Sequence, residues 1–302
     1  MSHTVIGQSV ARLDAWGKVT GETIYPGDRS HAGELWLKVL FTGRPHARIV
    51  SLDVSAALAL PGVVDVLTAA DVPVNEYGLM TPDQPVLCGP GSAKAGSDIV
   101  RCVSDRLAIV IAASEKIAAQ ARDLIRVEYE DLPLIDSTDL ARSGLAPQLH
   151  PDKPGNIADY KFIRKGEVES AWAECAAIVE GVYRTPYQEH AYLQPEAGTA
   201  YYDDAGRLTV RCAGQWTWAD QQALARLLNL PPEQVRVIYD AIGGAFGGRE
   251  DMNVQLFLAL AARHLKEKHG LLRPVKIIWS REESIIGHIK RHPMTIKARW
   301  GA

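Results

Sequence analysis

The sequence predicts an α+β fold in two parts, and three observations support it. Apolar runs of strand length alternate with helical patterns along most of the chain, which is typical of proteins that mix the two elements. A polar stretch rich in proline and glycine, 136–164, interrupts this alternation near the middle and predicts a boundary. The 302 residues, 47% hydrophobic and 23% charged, are enough for one or two sizeable cores.

Before the boundary, the pattern predicts one α+β domain. The run 107–111 is apolar throughout, as in a strand that is buried on both faces. Ser114 is a helix N-cap residue, and an alanine-rich helical pattern follows it at 115–124. We predict strands at 35–41, 47–54, 63–67, within 100–112, and at 125–129.

After the boundary, a second alternation begins with a hairpin at 198–213. The segment 217–220 resembles a capping box that starts an amphipathic helix, and a longer helix is predicted at 254–268 with Gly270 just beyond its end. The other strands predicted here are 178–184, 235–239, 275–279 and 295–299.

Composition narrows the classes of function. A net charge of −3 and a pI near 6.3 give no electrostatic argument for nucleic acid or an anionic membrane as the partner. The start of the chain lacks a secretory pattern, and no apolar run reaches membrane-spanning length, so we expect a cytoplasmic protein. The cysteines form no C-x-x-C pair, which gives no signal for a zinc or iron-sulfur site: Cys88, Cys102, Cys175, Cys212.

The most informative segment is the glycine loop, 242–250, which reads Ile-Gly-Gly-Ala-Phe-Gly-Gly-Arg-Glu. Four glycines around one aromatic residue leave backbone N–H groups accessible to a ligand. The spacing fits neither a dinucleotide fingerprint nor a P-loop. A tight strand-to-helix connection without a ligand remains the alternative.

Other candidate residues each have a plain structural alternative. Gln215 follows a predicted strand and could donate to an oxo or carbonyl group, or could be an ordinary turn residue. Glu189, His190 and Glu196 could serve acid/base chemistry if they shared a pocket, or could be solvated loop residues. Glu250 could point at a bound ligand, or could stabilise the first turn of the next helix by about 0.3–1 kcal/mol.

Two further groups carry weaker signals. His264 and His269 are five positions apart, and His288 and His292 are four apart, but no carboxylate or cysteine stands at ligand spacing, so we do not expect these histidines to bind metal. The segment 291–293, Arg-His-Pro, favours a bend before the last strand over an anion contact.

Several segments in this order resemble the molybdenum-cofactor subunit of the xanthine dehydrogenase/aldehyde oxidase family of molybdenum hydroxylases. The resemblance covers essentially the whole chain, and the combination of segments is more specific than any one of them. The matching segments are 6–21, 60–63, 188–196, Gln215, 243–250 and 291–293.

The resemblance implies a fold and a set of site residues. It implies an α/β-hammerhead domain at 1–135, a linker at 136–160, and at 161–302 the first part of a molybdopterin-binding domain. Gln215, Phe246 and Gly247 match residues that face the apical ligand of the molybdenum, and Gly244 belongs to the same cofactor loop. Glu250 matches the carboxylate that orients purines in xanthine-oxidising members, which favours a heteroaromatic substrate over an aldehyde.

The resemblance also implies a reaction and partners. The family hydroxylates an electron-poor carbon with water as the oxygen source, and electrons pass to 2Fe-2S and FAD centres, which we expect on other subunits. The base glutamate and most pterin contacts lie in a further region that the chain does not contain, so no catalytic residue is assigned here and the chain is expected to be inactive alone. It would be a split subunit or a truncated reading frame; the alternative of another class is a non-catalytic assembly module.

Overall fold

Three β-sheets and eight α-helices build residues 6–302, the part of the chain that the computed structural model describes. The strands are β1 Leu35–Phe41, β2 Ala47–Asp53, β3 Val63–Leu67, β4 Ile99–Val100, β5 Arg106–Ala112, β6 Arg126–Asp131, β7 Ile178–Thr185, β8 Ala197–Tyr202, β9 Leu208–Cys212, β10 Val235–Tyr239, β11 Val275–Ile278 and β12 Met294–Gly301. The helices are α1 Ala15–Thr20, α2 Ser55–Leu58, α3 Glu115–Leu124, α4 Thr138–Ala141, α5 Val168–Ala171, α6 Thr217–Leu227, α7 Val254–His269 and α8 Arg281–Gly287. This arrangement confirms the predicted α+β class.

The largest sheet has seven strands in the order β10-β9-β8-β11-β1-β5-β3. Its centre joins the two halves of the chain, because β1 pairs in parallel with β11 and antiparallel with β5. Strands from before and after the predicted linker therefore share one sheet. The division at 136–160 stays a prediction, and this segment contains the short helix α4.

Strand β5 explains why its sequence is apolar throughout. Alternate side chains along a strand point to opposite faces of the sheet. Ile109 and Ile111 pack in the core with α7, while Ala108 and Val110 pack in a second core with α3. Every residue of β5 is buried, as the continuous apolar run predicted.

The two smaller sheets differ in their surroundings. Strands β4, β2 and β6 form an antiparallel sheet with its own small core around Ile49 and Leu107. Strands β7 and β12 form an antiparallel two-stranded sheet, here called the ribbon, in which Ile178 pairs with Gly301 and Thr185 with Met294. Most ribbon side chains are exposed.

One local expectation was confirmed and another was wrong. The strand expected within 100–112 is β5, and it begins after a turn in which Asp105 Oδ2 accepts hydrogen bonds from the amides of Arg101 (2.6 Å) and Cys102 (3.2 Å). Helix α6 begins at Thr217 as expected, but its N-cap, Trp216, makes no side-chain cap. Asp220 instead accepts a hydrogen bond from the Tyr239 hydroxyl at 2.6 Å, so no capping box forms.

Helix α7 positions the glycine loop. Ten of its sixteen residues are buried against the seven-stranded sheet, and Gly270 ends the helix in the left-handed conformation at φ 65°, as predicted. Strand β10 enters the loop and α7 leaves it, so the loop is held at both ends by buried elements. Among the described residues, no helix combines the length and apolarity needed to cross a membrane.

Candidate functional site

The glycine loop connects β10 to α7 with several residues in the left-handed region. Gly244 has φ 104°, Phe246 has φ 51° and Gly247 has φ 86°. A phenylalanine in this region is uncommon and carries a conformational cost of about 1–3 kcal/mol. Its ring is 78% exposed, so burial of the side chain does not offset that cost.

Three of the four loop glycines are explained by close packing. A Cβ atom at Gly243 would lie 2.6 Å from Gln194 Cβ, at Gly244 2.9 Å from Tyr192 Cβ, and at Gly248 2.8 Å from His190 Cγ. The loop thus packs directly against the 190–194 segment. The sequence indicates a ligand or a tight turn at these glycines but does not reveal that they pack against another segment.

Gly247 differs from the other three loop glycines, because close packing does not explain it. The nearest atom to a Cβ at this position is Glu250 Oε1, at 3.9 Å, so the space beside it is open. The backbone amides of Phe246 and Gly247 donate no hydrogen bond to any atom of residues 6–302. Two adjacent free N–H groups in left-handed backbone can bind an oxo or anionic group.

Gln215 lies against this loop, although 34 residues separate it from Arg249. Its backbone N–H donates to the Arg249 carbonyl at 3.1 Å, and its side-chain Oε1 accepts from the Arg249 amide at 3.2 Å. The side-chain carbonyl therefore holds the loop, and Nε2 remains as a donor without a partner in the described part of the chain. The structure brings together the two features that the sequence proposed separately.

Arg249 is the residue that the sequence did not indicate. It is 2% exposed, its Nε donates to the Gly244 carbonyl at 3.1 Å, and its other end donates to the Gln194 carbonyl. The guanidinium also lies 4.2 Å from the centre of the Tyr192 ring. Arg249 thereby fixes the loop to the 190–194 segment. The one sequence signal for this role is that an arginine directly follows two glycines.

Glu250 follows Arg249 and is half-buried. Helix α7 begins four residues later, at Val254, with Asn253 as its N-cap, so Glu250 is not in the first turn and the helix-dipole explanation is wrong. Its carboxylate makes no hydrogen bond or ion pair within 6–302. A carboxylate beside the open space at Gly247 is available to accept hydrogen bonds from a ligand.

The acidic and histidine residues of the 188–196 segment are not solvated loop residues. Glu189 Oε1 lies 2.8 Å from His288 Nε2, Glu189 Oε2 lies 3.0 Å from Lys290 Nζ, and the ring centres of His190 and His288 are 5.5 Å apart. His288 Nδ1 donates to the Ser284 carbonyl, and burial lowers the pKa of His288. A neutral ring in this tautomer turns its Nε2 lone pair towards Glu189, so this pair can share a proton or hold a cation.

Glu196 is buried at 1% exposure. One carboxylate oxygen accepts from the Tyr192 hydroxyl, and burial, followed by the charge of Glu196, raises the pKa of Tyr192 well above its usual value. In the described residues, Glu196 Oε2 and Gln194 Nε2 are buried without a hydrogen-bond partner. The interpretation of Glu196 as a solvated charge is wrong.

The remaining candidates are dispersed. The backbone of Arg291 exchanges two hydrogen bonds with Gln188, at 3.1 and 3.3 Å, and forms an isolated antiparallel bridge just before β12. The segment 291–293 has no turn or bend, so the expected bend was wrong. His292 is exposed. His264 and His269 lie at the far end of α7, where both contact Asp65.

A cavity of about 340 Å³ adjoins the loop. Its walls are mainly apolar, and Gly243 and Gln194 connect it to the loop backbone. Other lining residues are Tyr25, Leu193, Pro195 and Ile278.

Two families match the chain. Residues 149–302 match the molybdopterin cofactor-binding domain, and residues 20–133 match the a/b hammerhead domain of aldehyde oxidase and xanthine dehydrogenase. The first match alone covers more than half of the chain. The chain belongs to the aldehyde oxidase and xanthine dehydrogenase family. The resemblance inferred from the motifs is confirmed.

Curated members of this family are similar along almost the whole chain. A probable xanthine dehydrogenase subunit from Bacillus subtilis is 41% identical over 295 residues, which are 97% of this chain and 37% of that relative. The nicotinate dehydrogenase large molybdopterin subunit of Eubacterium barkeri is 36% identical over 301 residues, 99% of this chain and 67% of that relative. The chain thus spans only part of the length of these relatives.

Solved structures of the family confirm the fold. The aldehyde oxidoreductase from Desulfovibrio gigas has a TM-score of 0.85 and 27% identity, and the match covers 96% of this chain and 32% of that one. Quinoline 2-oxidoreductase from Pseudomonas putida 86 has a TM-score of 0.79 and 26% identity, with 98% and 37% covered. The hammerhead and molybdopterin-binding folds predicted from the resemblance are both present.

The residues at the loop fit a molybdenum cofactor of this family. The amides of Phe246 and Gly247 and Nε2 of Gln215 are all neutral donors, and such donors suit an oxo ligand or a pterin carbonyl. Nε2 of Gln194 is a further buried donor without a partner in the described residues. A site with several free donors and a bare backbone is the chemistry that an oxygen-rich cofactor requires.

Proposed function

We propose that this chain is part of a molybdenum hydroxylase that hydroxylates an electron-poor carbon of an N-heteroaromatic substrate such as a purine. Water is the source of the oxygen, and the electrons pass to 2Fe-2S and FAD centres on other subunits. The observation that carries the proposal is the glycine loop. Within residues 6–302, the amides of Phe246 and Gly247 and the carboxylate of Glu250 have no hydrogen-bond partner, and Glu250 Oε1 lies 3.9 Å from the Cβ position of Gly247. Gln215 is held against the same loop through Arg249.

In this proposal each loop residue has a separate role. The molybdenum-molybdopterin cofactor supplies the two-electron oxidation. Phe246 and Gly247 bind it through backbone N–H groups, Gln215 through Nε2, and Gly244 keeps the backbone close to the 190–194 segment. Arg249 holds these donors in place before any ligand arrives, which lowers the ordering cost of binding.

Glu250 is proposed to orient the substrate. A carboxylate accepts hydrogen bonds from ring N–H groups, which purines and related heterocycles carry and simple aldehydes lack. The names of similar proteins support the wider substrate class, since xanthine, nicotinate and quinoline are all N-heteroaromatic. Of these three, only xanthine carries ring N–H groups that a carboxylate could accept. Aldehyde oxidation is the second candidate, because the aldehyde oxidoreductases from two Desulfovibrio species have TM-scores of 0.85 and 0.87 to this chain.

The ribbon supports the proposal that a further polypeptide region completes the site. Its exposed apolar side chains include Val179, Val182 and Trp300, at 64%, 59% and 69% exposure. An isolated two-stranded sheet is marginally stable in water, and an exposed apolar surface of this kind is typical of an interaction site. We propose that the remainder of a molybdopterin-binding region, which also supplies the base glutamate, covers it.

The proposal is tested on the purified complex that contains this chain. Molybdenum is measured by elemental analysis, and kcat/KM is measured for xanthine, nicotinate and an aromatic aldehyde. We expect bound molybdenum and faster turnover of a heteroaromatic substrate. In Glu250→Gln, loss of a charged hydrogen-bond acceptor should lower kcat/KM for xanthine about ten- to hundredfold, and aldehyde turnover should change little.

Glu233→Gln is the matched control, because Glu233 is an exposed carboxylate on the short turn before β10. It should leave all three activities unchanged. A complex without molybdenum would reject the proposal and favour an assembly module. Equal losses for heterocycle and aldehyde in Glu250→Gln would reject the role of Glu250 in substrate choice.

A further inference from the structure

A second cluster of metal-ligating side chains lies at the opposite end of α7 from the glycine loop. Nε2 of His264 and Nε2 of His269 lie 2.8 and 2.7 Å from the same oxygen, Oδ2 of Asp65. His264 and His269 stand ten and fifteen residues after Val254, so at 1.5 Å per residue the cluster is roughly 15–22 Å along α7 from its loop end. It is outside the site proposed above.

The local backbone directs these three side chains to one point. The pairing of β3 with β5 shifts register between Val63 and Asp65, and an irregularity of this kind re-aims the side chain that follows it. The Val66 amide donates to Asp65 Oδ1 at 2.8 Å, which orients the carboxylate and leaves Oδ2 for the histidines. The last two turns of α7 bring His264 and His269 to that oxygen.

The cluster is partly enclosed and has an entrance. The side chains of Asp65 and His264 are 13% and 10% exposed, whereas that of His269 is 30% exposed. His269 is the most exposed of the three side chains, so an ion can enter past it.

We propose that Asp65, His264 and His269 form a Zn²⁺ site. Two imidazole nitrogens and one carboxylate oxygen are ligands that zinc prefers, and a water molecule would complete a four-coordinate shell. The three ligand atoms all lie within 4.8 Å of one another, and a bound zinc would lie about 2.0–2.2 Å from each of them. Spacing rules detect ligands that are close together in the chain, so they do not detect a site made of positions 65, 264 and 269.

The expected consequence is a fixed contact between β3 and α7. Strand β3 is at one edge of the seven-stranded sheet, and α7 carries the glycine loop at its other end. Zinc at this point would connect the edge strand to the helix and restrict movement of the helix along the sheet. The alternative is a metal-free trio in which both histidines donate to Asp65.

The test uses the purified protein that contains this chain, stripped of loosely bound metal by dialysis against a chelator. Zn²⁺ is titrated against a competing chromophoric chelator, with Mg²⁺ as the control cation. We expect the wild type to bind one more zinc per chain than His264→Ala or His269→Ala. Asp65→Asn should weaken that site at least tenfold, and His292→Ala, which removes an exposed histidine elsewhere, should change nothing.

A second measurement keeps the test decisive if a variant fails to fold. Histidines of the wild type are modified with diethylpyrocarbonate with and without Zn²⁺, and the labelled peptides are identified by mass spectrometry. Protection of His264 and His269 together supports the site. Equal zinc stoichiometry in wild type and variants, or protection of His190 and His288 instead, would overturn it.

Discussion

The seven-stranded sheet and the ribbon contain similar side chains but differ in what covers them. Strand β5 is buried at every residue, between α7 on one face and α3 on the other. In the ribbon, β7 and β12 also carry valine, isoleucine and aromatic residues, but most of these are exposed. Burial here follows from the placement of helices, and strand composition alone does not decide it.

The difference assigns different roles to the two sheets. The large sheet supplies the stability that holds β10, the glycine loop and α7 in place. The ribbon gains little from its own contacts, and its apolar surface is available to another polypeptide region. Substitutions should therefore change the free energy of unfolding in the large sheet, and association in the ribbon.

The strongest test of this contrast compares two aromatic truncations. Phe257 on α7 is fully buried, while Tyr183 in β7 is 57% exposed. Phe257→Ala should lower the free energy of unfolding by about 3–5 kcal/mol because it leaves a cavity, and Tyr183→Ala should cost less than about 1 kcal/mol. Urea denaturation measures both, and similar losses would remove the distinction between the two sheets.

The next test measures how the free energy of unfolding depends on pH. Burial raises the pKa of Asp220 from 3.8 to about 6. The folded state then binds this proton more tightly than the unfolded chain, so stability falls as the pH rises from about 4 to 6. Ionisation of Asp220 in the folded state above pH 6 lowers the free energy of unfolding by about 3 kcal/mol.

Asp220→Asn should remove this cost, because an amide oxygen can still accept from Tyr239 and Gln255 without carrying charge. The variant should match the wild type near pH 4 and exceed its stability above pH 6, as measured by denaturation across that range. The ribbon control is Glu180→Gln, which breaks an exposed ion pair with Arg299 and should change stability by less than about 0.5 kcal/mol. Parallel pH curves for Asp220→Asn and wild type would contradict the burial argument.

The smallest expected effect comes from adding one methyl group to a single glycine in each of the two sheets. A Cβ at Gly198 in β8 would lie 2.6 Å from the Arg211 carbonyl and 2.8 Å from Leu258 Cδ1. A Cβ at Gly181 in β7 would meet only the exposed ring of Tyr183, which can turn away. Gly198→Ala should lower the free energy of unfolding by about 1–3 kcal/mol, and Gly181→Ala should lower it by less than about 0.5 kcal/mol, as measured by thermal unfolding. The reverse order would show that the ribbon is the more tightly packed sheet.

The sequence predicted the helices and strands better than it predicted which of them contact one another. Periodicity located most strands and the helices α3 and α7, because local backbone preference and burial pattern agree there. It could not place β1 between β11 and β5, since strand partners far apart in the chain leave no local pattern. The fold class and the family were confirmed, whereas the domain boundaries and the roles of the site residues stay predictions.

The candidate site shows the same limit. Gln215 and the loop were singled out from the residues themselves, and the resemblance added their roles. Arg249 was missed because its hydrogen bonds go to backbone carbonyls that no motif specifies. Asp65 was missed for a similar reason, since about 200 positions separate it from the histidines that it contacts. Glu196 was placed in solvent because a charged residue in a loop is usually exposed.

The position of β1 has a consequence for how the protein is made. Lys38 in β1 donates a hydrogen bond to the Ile278 carbonyl, 240 positions later in the chain. At about 5–20 residues per second, a ribosome needs on the order of 10 to 50 seconds between these two points. Once β5 has been made, β1 can pair along one edge, but its other edge stays open until β11 has been made. An open strand edge of this kind can pair with another chain, so this interval is when association of nascent chains is most favoured.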